Sequence, residues 1–208
     1  MDLSYLEGPP RIVPGHAGLL RMTWLLLKEK AHSQSRLLVL GAGGGLELKY
    51  LAEAEPGWSF EGVDPSAPML ELARHTLGPL SPRATLKEGT IQQAGDGPFQ
   101  GATCLLTFHF LKPEERLETL GQLRRRLQPD APLVIAHLSI PEADREDWIA
   151  RYLAFSGTPD SQEIRNRMET HLTILTPEQD EQLLLEAGYR HIQCFYTAFT
   201  FRGWVAHA

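Results

Sequence analysis

Residues 37–40 are an unbroken apolar run that ends in Gly41-Ala42-Gly43-Gly44-Gly45, and Leu46, Leu48 and Leu51 then recur at helical intervals. A short apolar run closed by glycines predicts a strand buried on both faces, a tight turn and a helix. The same alternation continues downstream. Residues 58–63 read as a strand ending at Asp64-Pro65, and residues 66–77 as a helix stopped by Gly78-Pro79. Strands follow at 83–87, 102–106 and 133–138, with a helix opened by Pro113 and carrying Leu117, Leu120, Leu123 and Leu127. Alternation of this kind predicts a parallel sheet covered by helices on both faces.

Three stretches depart from that rhythm. Residues 1–14, with Pro9, Pro10 and Pro14, read as loop before a helix over 15–30. Residues 140–175 hold helical stretches near 142–155 and 161–171 and no strand. Thr176 and Gln179 have capping-box spacing for one more helix, which Gly188 ends. Residues 189–196 and 198–206 then read as adjacent antiparallel strands. The expectation is a single domain over 1–208, with 1–31 and 140–175 as helical cap and lid segments.

An apolar content of 42% over 208 residues is enough for one sizeable core. No apolar run approaches the roughly 18 residues of a membrane span, and the N-terminus lacks a signal pattern. A cytoplasmic protein with no membrane partner is therefore expected. Cys104 and Cys194 both lie in apolar, strand-like runs and read as buried thiols. A net charge of −6 argues against an extended nucleic-acid surface, and Arg124-Arg125-Arg126 reads as the solvated face of a helix. The eight histidines show no HxxxH or Cys/His pairing, so no metal site is expected.

Glycines at a strand-to-helix turn let the backbone approach a ligand closely. Asp64, 23 positions after Gly41 and at the end of the second strand, can accept both hydroxyls of a ribose. Leu46 stands where a G-x-G-x-x-G fingerprint needs its third glycine, and no P-loop motif occurs. His109 follows the fourth strand, where an open α/β sheet places its crevice. Histidine suits a general base, but a packing role is favoured, and His137 is placed similarly.

GAGGG after one strand, VDPS ending the next and EGTI after the third, with a last strand running antiparallel, together resemble class I S-adenosylmethionine-dependent methyltransferases. The resemblance implies a Rossmann-like α/β fold: a seven-stranded, mostly parallel sheet with an antiparallel last strand, helices on both faces and a helical lid insertion. It implies S-adenosylmethionine as cofactor, with Gly41, Ala42 and Gly43 near its methionine part, Asp64 and Pro65 at the ribose, and Thr90 and Ile91 flanking adenine. Val13-Pro14-Gly15, Thr107 to Arg116, the stretch from Arg167 to Thr176 and Cys194 to Ala206 resemble the carboxy-S-adenosylmethionine synthase branch, whose members act in tRNA wobble-uridine modification.

That branch implies an anion-gripping role for Arg167, with Arg165 as the neighbouring alternative. It also implies cofactor contacts at His16, where the branch has tyrosine, and at Leu105, where it has asparagine. It favours a homodimer. These departures favour methyl transfer to a small-molecule acceptor, with prephenate-dependent carboxylation of the cofactor and non-catalytic cofactor binding as the alternatives. On this reading His109 and Arg167 are the candidate catalytic residues.

Overall fold

A computed structural model describes residues 3–208. The seven strands are β1 (Arg36–Leu40), β2 (Ser59–Asp64), β3 (Ala84–Glu88), β4 (Gly101–Leu105), β5 (Pro132–Leu138), β6 (Arg190–Ala198) and β7 (Phe201–His207). They form one sheet in the order β3-β2-β1-β4-β5-β7-β6. β1 to β5 are mutually parallel, and β7 runs antiparallel to both β5 and β6. The strand order reverses between β1 and β4, and a sheet of this kind opens a crevice beyond its strand C-termini at such a point.

The parallel strands form because their side chains are apolar on both faces. Leu37 and Val39 join one core, and Leu38 and Leu40 join the other. The first face is covered by α2 (His16–Lys28), α3 (Leu46–Ala54) and α4 (Ala67–Leu77). The second is covered by α5 (Pro113–Arg126) and α8 (Pro177–Glu186).

Two expectations change here. Residues 1 and 2 lie outside the described residues, and residues 3–12 are not loop: a 3-10 turn, Leu3–Glu7, leads into the short helix α1, Gly8–Ile12. Pro9 and Pro10 are accommodated because the first turn of a helix has no use for their missing N–H groups. Cys104 is buried, but Cys194 is exposed. It lies on β6, an edge strand with one neighbour, most of whose residues face solvent.

The 140–175 segment carries α6 (Arg145–Ser156) and α7 (Gln162–His171). It leaves and rejoins the sheet at one point, where the Ile140 amide donates to Leu175 O at 3.0 Å. α6 packs against α1, and Tyr152 meets Phe201 of β7 edge to face. Among the described residues no helix is long and apolar enough to cross a membrane.

Candidate functional site

The turn after β1 is held by the end of β2. Gly41 and Ala42 donate their amides to Val63 O at 2.8 and 3.1 Å, and Gly43 donates to Asp64 Oδ2 at 2.9 Å. Gly41 has φ +75°, and a Cβ there would lie 1.9 Å from Thr107 Oγ1, so the loop after β4 lies directly against it. At Gly45, φ +82°, a Cβ would lie 2.8 Å from Ala73 Cα of α4. Only glycine reconciles these dihedrals with such approaches.

Above this turn, at the C-terminal ends of β1, β2 and β4, lies a cleft of about 600 Å³. That size is usual for a small-molecule or cofactor site. His16, Leu19 and Leu20 of α2 form one wall. Asp64, Pro65, Met69, Thr90 and Gln92 form one end, and Leu105, Leu106, Thr107 and Phe110 form the other. The Tyr5 ring lies over the glycines, close enough that a Cβ on Gly44 would sit 2.9 Å from its Cδ1. Burial, and then the charge of Asp64, push the Tyr5 phenol pKa up.

Asp64 is the organised acid of the cleft. Its Oδ2 takes the Gly43 amide and its Oδ1 takes the Ser66 amide, each at 2.9 Å. One N–H per oxygen fixes the plane of the carboxylate and leaves a further lone pair on each oxygen for a diol. Thr90 sits at the mouth, its hydroxyl turned to Gln92 and Gln93 in a capping box.

The structure brings His16, Gly41, Ala42, Gly43, Asp64, Pro65, Thr90 and Leu105 together around one cleft. Ile91 is not among them. Its side chain is buried in the core on the α5 face, because an apolar residue beside the exposed Thr90 gains more from burial than from the cleft mouth. Gln92 lines the cleft in its place.

His109 also lies off the cleft. Its Nδ1 accepts the Leu138 amide at 3.3 Å, and its carbonyl takes the Thr173 amide at 2.8 Å. Burial, followed by His137 and Arg116 nearby, pushes its pKa down to about 3. A neutral imidazole whose Nδ1 is already used packs β5 against the 172–175 return and is no base for the cleft. His137 is buried as well, with Nε2 3.1 Å from Asp180 Oδ1.

Arg167 is exposed on α7 and lines no part of the cleft. The adjacent Arg165 holds Asp160 through Nε at 2.6 Å and also pairs with Glu146. No residue of 140–175 lines the cleft, so its nearest cover is Tyr5, Pro9 and α2 and not that insertion. α6 of the insertion packs instead against α1 and, through Tyr152, against Phe201 of β7.

The cleft also contains a residue that motif reading missed. Glu47, in the first turn of α3, is 8% exposed and lines the cleft floor. Its Oε1 has no hydrogen-bond partner.

Residues 37–130 match the methyltransferase domain family. Over this stretch the chain is similar to methyltransferase domains. A carboxy-S-adenosyl-L-methionine synthase from Erwinia tasmaniensis is 26% identical over 94% of this chain and 84% of its own length. Human N-acetylserotonin methyltransferase, solved in complex with S-adenosylmethionine, superposes with a TM-score of 0.67 at 15% identity, over 90% of this chain and 51% of that one. A cyclopropane synthase from Mycobacterium tuberculosis also gives 0.67 at 14% identity, over 86% of this chain and 63% of that one. The chain therefore spans less than two thirds of these solved proteins. What aligns is the methyltransferase fold, with the glycine turn and Asp64 inside the matched residues 37–130.

Proposed function

We propose that this methyltransferase domain binds S-adenosylmethionine in the cleft and passes its methyl group to a small-molecule acceptor. The observation that carries the reading is the doubly anchored Asp64 carboxylate beside the glycine turn. It offers a ribose two oriented oxygens at the distance from the turn that an adenosyl ligand needs. Thr90 and Gln92 are placed for the base, and backbone atoms of 41–43 for the amino-acid end.

The cofactor supplies an activated sulfonium methyl group. The chain's task is to hold an acceptor in line with it and to keep water out, which lowers the barrier by positioning. Leu19, Leu20, Leu105 and Leu106 give that part of the cleft an apolar wall. Among the described residues, no side chain positioned as a strong base reaches the wall. His16 is partly buried and its pKa is lowered by that burial.

The synthase name of the full-length relatives favours a second reading, carboxylation of the cofactor. Charge weighs against it. Among the described residues the cleft is lined by Glu47, Asp64, Glu115 and Glu118 and by no lysine or arginine. A carboxylated cofactor and a dianionic co-substrate would both meet like charge there. Calorimetric titration with S-adenosylmethionine and S-adenosylhomocysteine tests the first reading, and its failure would be no heat with either at millimolar concentration. Mass spectrometry of the ligand that copurifies separates the two, since only the second predicts a carboxylated adduct.

A further inference from the structure

We infer that Glu47 is the residue that receives the α-ammonium group at the amino-acid end of the cofactor. The inference rests on the reading of the cleft as an S-adenosylmethionine site and adds to it a named partner for one functional group.

Glu47 stands on the buried stripe of α3 with Leu48, Leu51 and Ala52. A carboxylate in that company costs stability unless something pairs with it. No cation of the described chain does, and the Thr103 hydroxyl is the side chain that supports its charge. Glu47 joins no ion pair among the described residues, and its Oε1 is buried without a donor. The Thr103 hydroxyl, on β4, lies beside Glu47 but makes no hydrogen bond of ordinary geometry. A buried carboxyl oxygen without a full donor, on a side chain that lines a cleft, marks a place where a ligand's polar atom belongs.

The chemistry of that ligand group follows from the acceptor. An orphaned carboxylate oxygen needs an N–H or O–H donor. An ammonium offers three donors and a full positive charge, whereas a sulfonium offers charge alone. The neighbouring geometry supplies the other half of a zwitterion. α3 begins at Leu46, and the first amides of a helix have no intrahelical acceptor and attract anions. An α-amino acid would set its carboxylate against that helix start and its ammonium, one carbon away, against Glu47 in the same turn.

The electrostatics agree. Burial raises the Glu47 carboxyl pKa to about 7 against a smaller lowering by the Thr103 hydroxyl, and the cleft lining holds no lysine or arginine. The titratable groups that share the cleft lining with it are Tyr5, His16, Asp64, Glu115 and Glu118, and Cys104 on β4 lies near enough to feel its charge. The Cys104 thiol is buried with its pKa pushed up, and the His16 pKa is lowered, so neither supplies a cation near neutrality. Glu47 is therefore largely protonated below neutrality, and an arriving ammonium displaces that proton.

The test compares the whole chain with its Glu47→Gln variant by calorimetry against three probes: S-adenosylmethionine, S-adenosylhomocysteine and 5′-methylthioadenosine. The first two carry the ammonium and the third does not. The expected result is at least tenfold weaker binding of both amino-acid-bearing probes, with 5′-methylthioadenosine unchanged within twofold. The wild-type chain should also release close to one proton on binding S-adenosylhomocysteine at pH 6, read from heats in two buffers of different ionisation enthalpy. That measurement stands even if the variant fails to fold. Loss confined to S-adenosylmethionine would assign Glu47 to the sulfonium instead. Unchanged binding with reduced turnover would make it a base for the acceptor. Equal loss for all three probes, or no proton release from the wild type, would also overturn the inference. A wild-type chain that binds none of the three overturns the cleft reading itself, a failure distinct from these.

Discussion

The Gly43 amide and the Asp64 carboxylate meet at 2.9 Å, so the turn after β1 is shaped by the same side chain that faces the cleft. Binding and local stability are therefore linked at this residue. Asp64→Asn keeps the size of the side chain but presents an NH2 group to either the Gly43 or the Ser66 amide, setting donor against donor. We expect a loss of about 1–3 kcal/mol of stability and at least tenfold weaker S-adenosylhomocysteine binding. Denaturant titration and calorimetry on the same preparation check this. Unaltered affinity in a folded variant would remove Asp64 from the site.

Gly41→Ala probes the fit of the β4 loop against the turn. Left-handed backbone costs a non-glycine residue roughly 1–2 kcal/mol, and the new methyl would lie 1.9 Å from Thr107 Oγ1. The variant should lose stability by more than the backbone cost alone. Adding Thr107→Ala should recover part of the loss, because the closest opposing atom goes but the dihedral strain stays. Chemical unfolding of the four chains of this cycle measures the coupling, and strict additivity would show that the contact is not felt.

His109 predicts a pH dependence. Its folded pKa is depressed to about 3 from an ordinary 6.5, first by burial and then by His137 and Arg116. The unfolded chain thus takes up a proton that the folded chain refuses. The stability contributed by neutral His109 is present above pH 6.5 and is lost as the pH falls toward 3, at up to about 1.4 kcal/mol per pH unit. Glu47 works in the opposite sense: its raised pKa favours the folded state at low pH and loses that advantage as the pH rises toward about 7. The His109→Gln difference curve isolates the first effect. It should show the variant gaining on the wild type as the pH drops from 6.5 to 4, and a flat difference would contradict the assignment.

Arg116 and Asp180 are both buried and meet at 2.8 Å between Nη1 and Oδ1. Arg116 also donates through Nε to Leu111 O at 3.0 Å and through Nη2 to Thr173 O, tying α5 and α8 to the end of the 140–175 insertion. Burial alone would raise the Asp180 pKa, yet His137 and Arg116 hold it below the usual carboxylate range. Asp180→Asn leaves a buried guanidinium without its counter-charge and should cost about 3–5 kcal/mol. Replacing both partners, Arg116→Met with Asp180→Leu, should lose much less. A thermal melt of each variant decides the order.

The strands could be read from the sequence because they are contiguous apolar runs. The run at 37–40 leads into a glycine turn with few alternatives, and Asp64 follows as the last residue of the next such run. Where packing decides between similar residues, the pattern was silent. Ile91 follows Thr90 directly, yet one turns to the core and the other to solvent. Arg167 stands on a helix that is polar almost all round, so periodicity offered it no direction. Glu47 had a signal that went unread: it lies four residues before Leu51 and next to Leu48, on the apolar stripe of α3. An acid at that spacing marks a carboxylate drawn inside. Tyr5 had none, because a tyrosine among prolines gives no hint that its ring will cover a turn forty residues away.

Tyr196 of β6 donates its phenol O–H to Pro14 O, just ahead of α2. α2 itself packs against β5, so the wall it gives the cleft leans on parts of the chain made far later. A growing polypeptide would emerge from the ribosome with this wall well ahead of its supports. Until the closing hairpin is released, the crevice stands without its fastening. Premature termination anywhere upstream of Tyr196 should then leave a partner for chaperones in place of an enzyme.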